Sequence, residues 1–348
     1  MFKRVVLATT AALAVSMVPS STMRGSAVPV TSSIGVLRIT WSQPIPKDLS
    51  GVRYLLLDAG RASYVPALKS RYPDLRVLAY KDLSFLIDYS RGPLGNAGVP
   101  WGQAREGWFL HDPRGRRVNS VHYPKAWFAD IGRRGYQRAW SRNVLRFLQD
   151  APWDGAFIDD ALADPGWHLG GAYRQLARYP TRSTYRAAER VMLAKVGPAL
   201  KRAGYLVIAN IGAAWDQPDV WRDWAGLLSG VMDEHFLKLG EDDEPVATGA
   251  DWAADVAIEQ AVEGAGRIFL ALTYGRSRDT IDQAYVRASF LLFDRPDTES
   301  ASIWSPNITP SSSLDYGRPL GRARKAGGVW TRAFSGGVIT VDPRDATR

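Results

Sequence analysis

The 348-residue chain contains no cysteine. A disulfide framework, a thiol nucleophile and any Cys-based metal or redox site are thereby excluded. Histidine is scarce as well. His111, His122, His168 and His235 are the four, and none stands at H-x-H or H-E-x-x-H spacing, so a histidine-built zinc site is not expected. The stretch "EDDE" at 241–244 lacks EF-hand spacing and reads as a solvated acidic turn. G-x-S-x-G does not occur, which removes the serine-hydrolase elbow. No G-x-G-x-x-G or P-loop follows an apolar run, so nucleotide binding has no signature. The formal net charge is +9, yet dense basic runs are missing outside "RGRR" at 114–117. A basic stripe for nucleic acid is therefore not expected, although attraction to an anionic surface such as a cell wall is compatible with the charge. These absences predict a protein with no cofactor, no resident metal and no nucleic-acid partner.

The one long apolar run lies at the N-terminus. "MFKR" is a basic head, "VVLATTAALAVSMV" fills 5–18, and "GSA" puts small residues at 25–27. This pattern reads as a secretory leader over residues 1–27, cut near Ala27. The run is short for a membrane span. A secreted product without a stable membrane anchor, acting as a monomer, is the expectation.

Beyond the leader, short apolar runs alternate with amphipathic ones. Strands are expected at 36–42, 54–60, 76–82, 126–130, 155–161, 205–212, 230–236, 267–275 and 300–306. Helices are expected at 135–151, 183–204, 249–266 and 279–294. Strands apolar on both faces, each followed by a helix, indicate parallel β/α architecture. About eight such units fit a (β/α)8 TIM barrel, and residues 28–310 are assigned to it. Residues 83–125, irregular and rich in Gly, Pro and aromatics, would fall on the active-site face. The tail "GGVWTRAFSGGVITVDP" (327–343) reads as a β-hairpin turning at 335–337, so residues 311–348 form a small C-terminal β extension packed on the barrel.

In such a barrel the chemistry sits at the C-terminal ends of the strands. Here those ends carry Trp41, Asp58, Lys81 with Asp82, Asp130, Asp159 with Asp160, Asn210, Asp233-Glu234-His235, Tyr274 and Trp304. "WDGAFIDDA" (153–161) places two carboxylates in sequence where an apolar strand leaves the core. Alternation lets one of them face the barrel axis, and parity alone does not say which. Held close, like charges raise one pKa and prepare a proton donor. Glu234 supplies a second carboxylate across the mouth, the arrangement that glycoside cleavage requires. Thirteen tryptophans add flat faces suited to sugar rings, many at strand ends or in loops, including Trp101, Trp108, Trp127, Trp167 and Trp215.

The elements W-D-G-A-F-I-D-D, M-D-E-H-F, T-Y-G and the closing R-A-F-S-G-G-V-I-T-V-D-P together resemble glycoside hydrolases of the TIM-barrel type. The nearest is the hypothetical glycosyl hydrolase family 15, a relative of the polygalactosaminidase-like barrels. The likeness spans most of 35–343. It implies a glycosidase with an Asp on the fourth barrel strand, Asp159 with Asp160 as neighbour, and a Glu on the sixth, Glu234. The resulting expectation is hydrolysis of an O-glycosidic bond in a polysaccharide or oligosaccharide. Asp159 would be nucleophile or base and Glu234 general acid. Asp58, Lys81, Asp82, Asp160 and Asn210 would hold sugar hydroxyls, and Trp41, Tyr274 and Trp304 would stack on sugar rings. The alternative is a sugar-binding barrel without turnover, which would need the aromatics but only one well-placed carboxylate.

Overall fold

The computed structural model describes residues 35–40, 44–89, 95–212, 217–240, 244–304 and 316–346. The leader, Trp41, Trp215 and residues 241–243 of the acidic turn lie outside them. Residues 32–348 group as one compact unit. Among the described residues no helix is long and apolar enough to cross a membrane.

Among the described residues, thirteen strands run in chain order as β1 (Gly35–Thr40), β2 (Val52–Leu57), β3 (Arg76–Asp82), β4 (Phe85–Ile87), β5 (Ala126–Phe128), β6 (Gly155–Leu162), β7 (Leu206–Gly212), β8 (Gly230–Asp233), β9 (Ile268–Thr273), β10 (Ala301–Trp304), β11 (Arg324–Ala326), β12 (Val329–Phe334) and β13 (Gly337–Val341). The α-helices are α1 (Val65–Arg71), α2 (Arg134–Gln149), α3 (Arg182–Arg202), α4 (Pro218–Leu227), α5 (Gly249–Gly264) and α6 (Thr280–Phe293). Strands β1, β2, β3, β6, β7, β8, β9 and β10 close a parallel barrel, with β1 pairing β10. This is the (β/α)8 TIM barrel that the alternation of strands and helices predicts.

Two apolar layers explain why the strands read as hydrophobic on both faces. Leu37, Ile39, Tyr54, Leu56, Leu78, Phe157, Ile208, Met232, Leu270 and Leu272 fill the barrel. Their chain neighbours Leu55, Leu57, Val77, Ala79, Ile158, Val207, Val231, Phe269 and Ala271 point outward into the helix layer. Each fully buried side chain of this kind contributes about 1.5–3 kcal/mol of transfer free energy. The helices complete the outer layer with one face each. In α2 that face is Tyr136, Ala139, Trp140, Val144, Phe147 and Leu148, at helical spacing. Helix α3 starts in a capping box: the Thr181 hydroxyl accepts from Thr184 N at 3.2 Å, and Thr184 returns the bond to Thr181 N. It stops before Gly204, whose φ of 89° suits only glycine well.

The segment 126–130, expected as a barrel strand, is not one. Residues Ala126–Phe128 pair antiparallel with β4 in a separate two-stranded sheet, and β3 lies directly against β6. Both short strands belong to the long excursion between β3 and α2. Asp130 consequently sits away from the barrel wall, where Arg133, Arg178 and Tyr179 hold its carboxylate. At the C-terminus the hairpin forms between β12 and β13 with Ser335 and Gly336 at its turn, and β11 adds a third strand. Phe334, Ile339 and Val341 join the outer core. The Arg332 guanidinium donates to the carbonyls of Leu291 (2.7 Å) and Asp294 (2.7 Å) at the end of α6, which fastens the extension to the barrel helices.

Candidate active site

The site begins with a bulge. β6 and β7 stay in register through Ile158↔Ala209 and resume at Ala161↔Ile211, so Asp159 and Asp160 together oppose Asn210. The extra residue breaks strict alternation, as bulges beside functional sites often do. Asp160 absorbs it in the left-handed region at φ 53°, a conformation that Asp tolerates better than most residues. Asp159 keeps the parity of Phe157 and faces the barrel axis, in register with Asp82 of β3. Asp160 lies beside Asp82, whose pKa it helps to raise. Both members of the aspartate pair therefore serve the barrel mouth, which is why the sequence places them side by side.

Asp159 is held at three points. Tyr80 donates its hydroxyl to Oδ2 at 2.5 Å, Asn210 donates Nδ2 to Oδ1 at 2.9 Å, and the Asp160 backbone N–H donates to Oδ1 at 2.9 Å. The same Asn210 amide nitrogen donates to Glu234 Oε2 at 2.6 Å, and the Tyr274 hydroxyl donates to Glu234 Oε1 at 2.6 Å. Glu234 follows β8 directly and continues the inward parity of Met232. The two legs through Asn210 cap the separation of those carboxylate oxygens at about 5.5 Å. The four acids Asp82, Asp159, Asp160 and Glu234 thus converge on one rim.

Burial raises the Asp159 pKa to about 7, helped by the charges of Asp160 and Glu234 and opposed by the hydrogen bonds from Tyr80 and Asn210. Asp82 is pushed well above the carboxylate range by burial first, then by Asp160 and Asp159. The other side of Asp160 faces His168, with Nε2 at 3.3 Å from Oδ1. Ser120 Oγ lies 3.0 Å from His168 Nδ1 and accepts from the backbone N–H groups of His122 and Tyr123. With its lone pairs so engaged, the hydroxyl donates to Nδ1, which leaves the ring proton on Nε2, toward Asp160.

The profile of the hypothetical glycosyl hydrolase family 15 matches residues 69–338, from α1 through the C-terminal hairpin. The chain belongs to this family. It is a glycosidase. The family 15 chain also shares its fold with solved glycoside hydrolases at low identity. A variant of the glycoside hydrolase domain of PelA from Pseudomonas aeruginosa aligns with a TM-score of 0.51 at 16% identity, covering 79% of this chain and 95% of that one. Ega3 from Aspergillus fumigatus, in complex with galactosamine, aligns with a TM-score of 0.50 at 9% identity, covering 81% and 94%. A family 31 dextranase from Flavobacterium johnsoniae, in complex with glucose, aligns with a TM-score of 0.51 at 10% identity, covering 80% of this chain and 37% of that chain. No curated protein matches the sequence.

Against this family 15 rim the expected site residues divide. Asp159, Asp160, Asp82, Asn210, Glu234 and Tyr274 come together as described. Asp58, at the end of β2, stands in the same inward row as Tyr54 and Leu56, and it accepts from Asn96 Nδ2 at 3.1 Å. Lys81 does not reach the mouth. It is in register with outward-facing Ile158, its ammonium donates to the Gly95 carbonyl at 2.6 Å, and it lies 3.9 Å from the centre of the Phe147 ring on α2. Trp304 also faces outward, in register with Thr273. Its ring packs so tightly on Gly275 that a Cβ there would fall 1.9 Å from it, and its Nε1 donates to the Arg276 carbonyl. Tyr274 uses its hydroxyl to hold Glu234 rather than serving only as a ring face. Tyr80, His168 and Ser120 join the site although no sequence signal assigns them to it. Tyr80 shares the inward parity of Leu78, a signal that alternation carries once the register is known. His168 and Ser120 sit in loops with no spacing that marks them.

Proposed function

We propose that the protein is an exported, monomeric glycosidase that cleaves a polysaccharide with retention of anomeric configuration, Asp159 acting as nucleophile and Glu234 as acid/base. The observation that carries this reading is the single Asn210 amide nitrogen that bridges both carboxylates. Its two legs hold the nearest oxygens within about 5.5 Å, which suits the close carboxylates of a retaining glycosidase. Asp159 attacks the anomeric carbon while Glu234 protonates the departing glycosidic oxygen. Glu234 then takes a proton from water, and that water displaces Asp159 from the glycosyl-enzyme. The reactive form is the singly protonated pair.

The sugar follows from charge. Among the described residues, no Lys or Arg pairs with the four rim acids, and the one basic ring beside them is that of His168. A rim so rich in carboxylates disfavours uronic acids and favours a sugar carrying a free ammonium group. That is consistent with the galactosamine bound by the structurally similar Ega3. Asp58, Asp82 and Asp160 would receive the amine and hydroxyls. The test is a polysaccharide panel containing galactosamine, glucosamine, neutral and uronic-acid polymers, with product anomers read by proton NMR. Release of amino-sugar oligomers whose first-formed anomer matches the substrate is the expected result. Cleavage of the uronic polymers alone, or an inverted first product, refutes the assignment. Export is tested separately: N-terminal sequencing of protein recovered from culture medium should start just after Ala27.

A further inference from the structure

Beside the acids stands an aromatic surface that the proposed chemistry does not use. Trp167 is 56% exposed and Tyr123 also 56%. The Trp167 indole is not loose. His122 stacks on it at 3.9 Å and 17°, Tyr123 meets it at 6.0 Å and 61°, and His168 meets it edge-on at 4.7 Å and 81°. Three rings therefore fix the indole, and its exposed area remains as a rigid apolar plate.

The plate is joined to the catalytic rim. Ser120 gathers the N–H groups of His122 and Tyr123 and reaches His168, and His168 reaches Asp160. The Val121 N–H bonds the His168 carbonyl at 2.9 Å, so the two loops that build the plate are tied to each other. Tyr123 lies close enough to Asp160, Glu234 and Asp159 for their charges to add to burial in holding its hydroxyl proton. A contiguous exposed apolar surface rimmed by polar groups marks a binding site. A pyranose ring, with an apolar face of C–H groups and polar edges, suits a flat indole whose surroundings are polar.

We propose that Trp167, backed by His122 and Tyr123, is an accessory sugar-binding subsite that stacks a pyranose of the same glycan some residues away from the bond being cut. This deepens, and rests on, the glycan-cleaving reading of the rim. It makes the enzyme prefer chains long enough to reach the plate from the carboxylates.

The test is isothermal titration calorimetry on protein carrying Glu234→Gln to suppress turnover. The ligands are disaccharides and hexasaccharides of α-1,4-linked galactosamine and β-1,4-linked glucosamine. Adding Trp167→Ala should weaken hexasaccharide binding about tenfold, leave disaccharide binding within about twofold, and be largely rescued by Trp167→Phe. An unchanged hexasaccharide affinity, an equal loss for both lengths, or no binding of either hexasaccharide to the parent overturns the proposal. Hydrolysis by the unmodified enzyme is scored separately. Length-selective binding without cleavage leaves the subsite standing and refutes the chemistry, whereas cleavage with an unaffected Trp167→Ala titration does the reverse.

Discussion

Replacing Asn210 with alanine removes one nitrogen that holds two carboxylates. Each bond is short, 2.9 Å to Asp159 and 2.6 Å to Glu234. A hydrogen bond to a charged group contributes about 1.5–3 kcal/mol. Only one carboxylate of the pair is ionised in the reactive form, so the loss in transition-state stabilisation is about 2–3 kcal/mol. At about 1.4 kcal/mol per factor of ten, kcat/KM should fall roughly 30- to 150-fold. The direction of the pH effect is a second, sharper readout. The Asn210 bond stabilises ionised Asp159, whose pKa already stands at about 7. Without it the pKa rises further, and the alkaline limb of the pH–rate profile moves to higher pH even as the rate drops. Initial rates from pH 5 to 9 on the cleaved glycan measure both, with near-UV circular dichroism to check that this buried position still packs. A decrease of less than about threefold together with an unmoved alkaline limb would show that the amide does not organise the pair.

Further outcomes follow from the same geometry. In the unmodified enzyme kcat/KM should decline as pH rises through about 7, because the pair gives up its one proton there. Burial raises Glu263 to about 8 and Asp294 to about 7, so the folded state binds more protons than the unfolded chain between the ordinary carboxylate range and those values. Stability should therefore fall as pH rises from 5 to 8.5, and Glu263→Gln should flatten the dependence of melting temperature on pH. Gly230→Ala would place a Cβ 2.4 Å from the Ile268 carbonyl oxygen in the next strand, a contact with backbone that cannot rotate away. It should cost about 1–3 kcal/mol in equilibrium denaturation.

The barrel was legible because its strands are apolar on both faces and end in polar groups, a pattern few other architectures require. The same double-sided burial hid which residues face inward. In β3, Val77 and Leu78 are equally buried, one against the helices and one in the barrel, so nothing local told that Tyr80 and Asp82 enter the mouth while Lys81 leaves it. Trp304 carries the same ambiguity. Its register with Thr273 turns it outward, and register is a property of the closed sheet rather than of one strand. The aspartate pair escaped parity altogether, since a bulge suspends alternation at Asp160. The 126–128 segment has the composition of a barrel strand but finds its partner in the neighbouring excursion, at Phe85–Ile87. Loop-borne groups such as His168 acquire their roles only from the tertiary contact with Asp160.

The most direct measurement of the central claim is the release of reducing ends from the susceptible glycan by the unmodified enzyme, Asp159→Asn and Glu234→Gln, side by side and equally folded. The account predicts that each variant retains less than about 1% of the rate. Near-normal release by either one would contradict it, because a paired-carboxylate mechanism has no means of working with one of its two acids replaced by an amide.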